Sequence, residues 1–347
     1  MNREDKLQQL LARTVDPAPG VLLALHAPLQ GLDFAGAAGA ACRESGQLLR
    51  TDHHFRIASM SKTFTGVLFA RLLEQGRISL DDCAADYLPD GVARQIPVVA
   101  GHKVEDITLR HLLHHRAGFN DFATSSEWFA EIAADPGRAR RPEEIAAWAL
   151  RHGDLVGAPG ERFCYSDTGY VLLGIALETL CTREYWRLCR EQIFDPLEMN
   201  ETWLEGYETP RGELSHPYIV VDGEYIDALQ VHGSLDWAAG GHVSRLRDLV
   251  RFLRGLSDCR LFDSPETLDA FLTGELARPG YHYAMGINRK RIRGHHLWGH
   301  LGHWGSFMYY CPEQRLSLCG TLNYDQAAHN EFIGEVLSTV LPPDRDS

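Results

Sequence analysis

The sequence predicts an α+β fold: an antiparallel sheet flanked by helices, built from both chain ends, plus an inserted, mainly helical domain. Three observations carry this. Short apolar runs broken by turn formers fill the first sixty residues, and helical periodicity dominates 59–240. Near the end, the apolar runs 307–311 and 316–322 flank Pro312-Glu313-Gln314 like two strands of an antiparallel hairpin. Residues 1–58 and 241–347 are therefore expected to form a discontinuous sheet domain and 59–240 a mainly helical one, with catalytic groups where the two meet.

Each element has its own reason. The charged N-terminus leads into a short polar helix. Residues 21–25, 34–38 and 55–57 read as strands, with Gly31 and Gly39 as turns. From Ser59 the period changes: Phe64, Val67, Leu68 and Leu72 recur at helical spacing and Gly76 follows as a C-cap, so 59–75 is one helix. Helical patterns follow at 109–116, 142–151, 170–179 and 183–193, and alternation first returns at 218–225. After Gly240-Gly241 one more helix is expected at 247–256, then strands. The polar tail 342–347 reads as frayed.

Composition narrows the function. The 347 residues are 44% apolar and carry a formal charge of −13, a field that repels polyanions, so nucleic acid is not expected as a partner. Lys6, Lys62, Lys103 and Lys290 are the only lysines. The eight cysteines include no C-x-x-C pair and read as buried thiols in a reducing compartment. No secretory pattern opens the chain, and its longest apolar stretch, 169–177, falls short of the roughly 20 residues that span a bilayer. A cytoplasmic protein without a membrane anchor is the expectation.

Three local motifs can carry chemistry. In Ser59-Met60-Ser61-Lys62 the spacing i, i+3 puts hydroxyl and amine on one helix face, a nucleophile beside a base. Burial and the helix N-terminus both favour the neutral amine that a base requires. The plain alternative is an N-cap serine with a surface lysine. In Tyr165-Ser166-Asp167, placed before a helix, Tyr165 is a candidate base or proton shuttle, since a phenol beside an ammonium can ionise below about 10. It can equally be a core tyrosine, and Asp167 a helix N-cap. In Gly299-His300-Leu301-Gly302-His303-Trp304-Gly305, glycines three apart before a strand suggest close backbone approach to a ligand, with free N–H groups for an oxyanion; a tight turn with one buried histidine is the alternative.

In this order the three motifs resemble the serine β-lactamase and penicillin-binding protein superfamily, in particular the branch of class C β-lactamases, D,D-peptidases and related esterases. The resemblance runs from about Phe55 to Asn323 and includes residues 107–115 and Ala238-Ala239-Gly240-Gly241. It implies the β-lactamase/transpeptidase fold, with Ser59 the acylated nucleophile, Lys62 its proton acceptor and Tyr165 the second-motif tyrosine. His300-Leu301-Gly302 would be the third motif, and the N–H groups of Ser59 and His303 the oxyanion hole. No cofactor and no metal is implied.

Two departures bear on substrate. Tyr165-Ser166-Asp167 stands where the family has Tyr-x-Asn, replacing an amide donor by a carboxylate, and His300 stands where classical β-lactamases place a lysine. Both disfavour β-lactams. The reading is a serine hydrolase that cleaves small-molecule esters or amides through an acyl-enzyme, esterase or peptidase-like rather than an efficient β-lactamase. A true β-lactamase or D,D-carboxypeptidase is the alternative within the class, and a non-catalytic binding or assembly protein on the same fold the alternative outside it. A metal enzyme is disfavoured because the 17 histidines include no H-E-x-x-H, and an α/β-hydrolase because no G-x-S-x-G occurs. The Arg289-Lys290-Arg291-Arg293 cluster reads as a solvated strand edge.

Overall fold

The computed structural model describes residues 2–16 and 18–341. The strands are β1 (Gly20–Ala27), β2 (Leu32–Cys42), β3 (Gln47–Leu48) and β4 (Phe55–Arg56), then β5 (Trp203–Leu204), β6 (Tyr218–Val221), β7 (Glu224–Asp227) and β8 (His242–Ser244). The C-terminal part adds β9 (Glu275–Arg278), β10 (Tyr281–Tyr283), β11 (Asn288–Ile292), β12 (His295–Leu301), β13 (Ser306–Cys311) and β14 (Leu316–Thr321). Nine of them form one sheet in the order β3-β2-β1-β14-β13-β12-β11-β10-β9. Both chain ends therefore meet at its centre, where Leu22 of β1 lies opposite Thr321 of β14 in an antiparallel ladder.

The sheet is covered on both faces, which is why β1 reads as an apolar run rather than an alternation. Val21, Leu23, Leu318 and Phe307 pack into one cluster with residues of the helices Arg3–Thr14 and His329–Val340. Leu22, Ala24, Met308 and Cys319 face the other way, into a larger core shared with the helices Ser61–Glu74, Asp167–Cys181 and Leu246–Ser257. That core joins the sheet to the helical half without a break. The small sheet β4-β8-β5 and the ribbon β6-β7 lie apart from the large one.

Several local expectations are corrected. Gly39 lies inside β2, at φ +83°, where a Cβ would press on the Pro19 carbonyl; the strand shifts register against β3 just beyond it, between Ala40 and Cys42. The helix expected at 109–116 spans only Leu109–Leu113, because the chain turns into the left-handed region at His115, φ +56°. The helix expected at 183–193 is Tyr185–Cys189 followed by a π-turn at Arg190–Phe194. After Gly241 the described residues hold three α-helices where one was expected, Leu246–Ser257, Pro265–Leu272 and His329–Val340. The basic cluster is not a sheet edge: β11 lies between β10 and β12, with Arg289 and Arg291 exposed and Lys290 half-buried. All eight thiols are free, but only Cys42, Cys189, Cys311 and Cys319 are buried. Among the described residues no helix is long and apolar enough to cross a membrane. The tail 342–347 lies outside the described residues.

Candidate active site

Ser59 sits in a single 3-10 turn, Ala58–Met60, that runs directly into the helix Ser61–Glu74. Ala58 just before it is held at φ +47°, a conformation that costs an ordinary residue about 1–2 kcal/mol and persists here because Ala58 is buried against Trp304. The turn from β12 to β13 closes onto the same point. Gly302 N–H donates to Ser306 O at 2.7 Å, and Ser306 Oγ donates to Ile57 O at 2.9 Å. A Cβ on Gly302 would collide with both Ser306 Oγ and Ile57 O, so only glycine lets the third motif reach the nucleophile.

Lys62 is fully buried one turn after Ser59. Its Nζ donates to Ser59 Oγ at 2.9 Å and to Ala239 O at 2.7 Å. It also lies 2.6 Å from Asp167 Oδ1, a charge contact without the alignment of a hydrogen bond. Asp167 is thus no N-cap: Ser166 holds that place, Asp167 opens the helix Asp167–Cys181, and its carboxylate faces the lysine.

Tyr165 lines the same cleft as Ser59. Burial first, and then the Asp167 carboxylate, hold its phenol well above the usual range, although the Ser59 hydroxyl pulls the other way. Lys62 lies 4.9 Å from the ring centroid, too far to ionise the phenol against those two effects. The Tyr165 hydroxyl has no partner of regular hydrogen-bond geometry. A neutral phenol aimed into a cleft is a proton donor in waiting rather than a base.

His300 is neutral, brought down to about 3 by burial and then by Lys62. Its Nδ1 contacts Leu301 O at 2.6 Å and its Nε2 contacts the Tyr283 hydroxyl at 2.9 Å. Nδ1–H therefore donates to the carbonyl and Nε2 accepts from the phenol. Both ring nitrogens are spent on the protein, so the third motif offers no cation. His303 is exposed, and among the described residues the N–H groups of Ser59 and His303 donate to no protein acceptor.

Ser59, Tyr165, Asp167, His300, Gly302 and His303 all line one cleft of about 820 Å3, with Lys62 beneath its floor. Sequence reasoning missed three carboxyls in the same cleft: Glu205, paired with Arg56 at 2.8 Å, Asp121 and Asp236. Asp121 accepts from the backbone N–H groups of Asp167 and Ala123, both at 3.1 Å, and is pushed up to about 7 by burial and by Asp167. Asp236 is raised by the same two causes in the same order. Also missed was His115, whose ring lies 4.2 Å from that of Tyr165, centroid to centroid, and whose Nδ1 accepts from Ser166 N–H. An apolar wall of Trp128, Phe129, Ile132 and Ile219 completes the cleft. Chemically, this is a hydroxyl within reach of an amine, a neutral phenol and two free N–H groups, in a cleft lined by carboxyls and by the basic residues Arg56, Arg278, Lys290 and Arg291.

The Beta-lactamase family model matches residues 13–336. Among solved structures, a D-stereospecific amidohydrolase from Streptomyces sp. superposes with a TM-score of 0.84 at 25% identity, covering 97% of this chain and 98% of that one. The D-amino acid amidase of Ochrobactrum anthropi SV3, complexed with D-phenylalanine, gives 0.84 at 27% identity over 98% and 99%. Penicillin-binding protein 4* of Bacillus subtilis is 32% identical over 156 residues, 44% of this chain. That match spans only 31% of the relative's own length, and the match to Beta-lactamase-like protein 4 of Dictyostelium discoideum spans 36% of it. With a family match over nearly its whole length and the three motifs gathered at one cleft, the chain belongs to the Beta-lactamase family.

Proposed function

We propose that the protein is a serine hydrolase acting through an acyl-enzyme on Ser59, with amides or esters of amine-bearing acids as substrates. The observation that carries the reading is the 2.9 Å contact of Lys62 Nζ with Ser59 Oγ inside a cleft lined by Asp121, Asp167 and Asp236. Ser59 Oγ attacks the carbonyl carbon and its proton passes to Lys62, which requires the amine to have given one proton aside, with Asp167 as the acceptor in place. The N–H groups of Ser59 and His303 receive the oxyanion. Tyr165, as a neutral phenol, donates to the departing nitrogen or oxygen as the tetrahedral intermediate collapses, and the proton on Lys62 restores it. Water then attacks the acyl-enzyme and releases the acid from Ser59.

Asp121, Asp167 and Asp236, grouped about Lys62, support an ammonium on the acyl side, although Arg56, Arg278, Lys290 and Arg291 line the same cleft. The amino-acid amides in the names of the two structural relatives agree with this, and D-amino-acid amides are the first substrates to try. The eight free thiols support a reducing, cytoplasmic setting. The test compares kcat/KM for amino-acid amides and p-nitrophenyl esters with their N-acetylated counterparts and with nitrocefin. The expected result is at least a 10-fold preference for the free amine, with KM for amine substrates falling as pH rises through about 7 and Asp121 ionises. Equal turnover of free and acetylated forms would remove the amine preference and leave the hydrolase reading standing; failure of Ser59 to take up a fluorophosphonate would remove both.

A further inference from the structure

A cluster of ligand-type side chains lies outside the catalytic cleft. Cys42 ends β2, Glu44 lies in the turn toward β3, and His216 precedes β6. One ligand atom from each lies within 4.8 Å of the others. We propose that Cys42, Glu44 and His216 form a binding site for a divalent transition-metal ion of the Zn2+ class, which staples the β2–β3 hairpin to the β6–β7 ribbon.

The donor set and its support argue for this together. Thiolate, imidazole and carboxylate are the three ligand types Zn2+ takes, whereas Mg2+ and Ca2+ want oxygen alone. Cys42 Sγ and Glu44 Oε2 are 3.4 Å apart. Zn–S and Zn–O bonds of about 2.3 and 2.0 Å at a tetrahedral angle place those atoms about 3.5 Å apart. Each polar ligand also has a backing partner. His216 Nδ1 is 2.7 Å from Asp227 Oδ2, so the imidazole donates its proton to a carboxylate and keeps Nε2 free as the metal-binding nitrogen. This carboxylate–histidine pairing is the usual second layer of a zinc site. Tyr218 donates its hydroxyl to the other ligand, Glu44 Oε2, at 2.8 Å and accepts from Arg43 N–H at 2.7 Å, which fixes the hairpin turn.

The backbone is already drawn together around this point. His216 N–H donates to Ala41 O at 2.8 Å, beside Cys42, and Asn323 Nδ2 donates to His216 O at 2.6 Å. On binding, the Cys42 S–H bond breaks, a sulfur–metal bond forms and the proton leaves to solvent. The ribbon that would be fixed contributes Ile219 to the wall of the catalytic cleft, and Ala228 just beyond it accepts from Arg56 at 2.9 Å. The metal would thus stiffen one wall without touching the reacting atoms.

The test uses the full-length protein after chelator treatment and dialysis, titrated with Co2+ as the probe and then with Zn2+. One equivalent of Co2+ should produce a near-ultraviolet sulfur-to-cobalt charge-transfer band that Zn2+ displaces. The band should vanish in Cys42→Ser. Affinity should fall by at least about 10-fold in His216→Gln, in the exposed Glu44→Gln and, through the second layer, in Asp227→Asn. No band at one equivalent overturns the proposal. So does a band that survives in Cys42→Ser, which would place the ion on another thiol. Undiminished affinity in both His216→Gln and Glu44→Gln reduces the site to a lone cysteine and overturns it as well.

Discussion

Lys62, fully buried, and Lys290, half-buried, stand at the same cleft, and their surroundings differ in a further respect. Lys62 has the Asp167 carboxylate at 2.6 Å. Lys290 has a neutral amide instead: its Nζ donates to Asn330 Oδ1 at 2.7 Å and lies 4.2 Å from the centroid of the Tyr309 ring. Among the described residues no carboxylate pairs with it. Burial, with Arg278 adding repulsion, brings Lys290 down to about 7. The lesson is that desolvation alone does not decide the charge of a buried amine; the anion placed beside it does. In the cleft this separates a lysine with a carboxylate beside it from one that is brought down to about 7.

Removing each amine in turn is the strongest way to break the comparison. Lys62→Met should cost ester turnover on the order of 10³-fold or more. It also strands Asp167 in a buried position, a loss of about 3–5 kcal/mol in denaturant unfolding. Lys290→Met leaves no charge stranded and should not lower stability at pH 7. Equal destabilisation by the two substitutions would mean that Asp167 is not the partner on which Lys62 depends.

The second prediction sharpens the Lys62 side. With Tyr165 held as a phenol, Tyr165→Phe should reduce kcat by about 10²- to 10⁴-fold, and more for amides than for activated esters, because a p-nitrophenolate leaves without a proton. A uniform loss across leaving groups would return Tyr165 to a structural role.

The smallest effect lies on the Lys290 side and is one of pH. Its folded value, about 7, is below its unfolded value, so between pH 7 and about 10 the unfolded chain binds the extra proton and stability rises with pH. Below 7 both states are protonated and the term is flat. Melting curves of wild type against Lys290→Met should show this rise in the wild type alone. Asn330→Asp supplies the missing anion and should suppress it, making Lys290 resemble Lys62.

What could be read beforehand divides along the same physical line. Ser59, Lys62 and Gly302 were legible because a helical turn and a close backbone approach are local, and β1, β13 and β14 because most of their residues are apolar. Asp121 was not, since it reaches Asp167 across 46 residues without any motif between them. Tyr165 was found with its role left open between base, proton shuttle and core tyrosine, because its desolvation belongs to the assembled cleft. β11 was mistaken for an edge, its sequence Asn-Arg-Lys-Arg-Ile being polar for a strand paired on both sides.

The pairing of β1 with β14 has a consequence for how the chain is made. β1 finds its β2 partner within a few residues, but the other edge must wait for β14, about 300 residues later. At ribosomal rates of 5–20 residues per second that is roughly 15–60 s during which Val21 to Leu25 present an apolar, unpaired edge. Over this interval the nascent chain needs its unpaired edge kept from other chains. Shortening the helical middle should ease that need, whereas slowing its translation should increase aggregation of a protein whose finished form is unchanged.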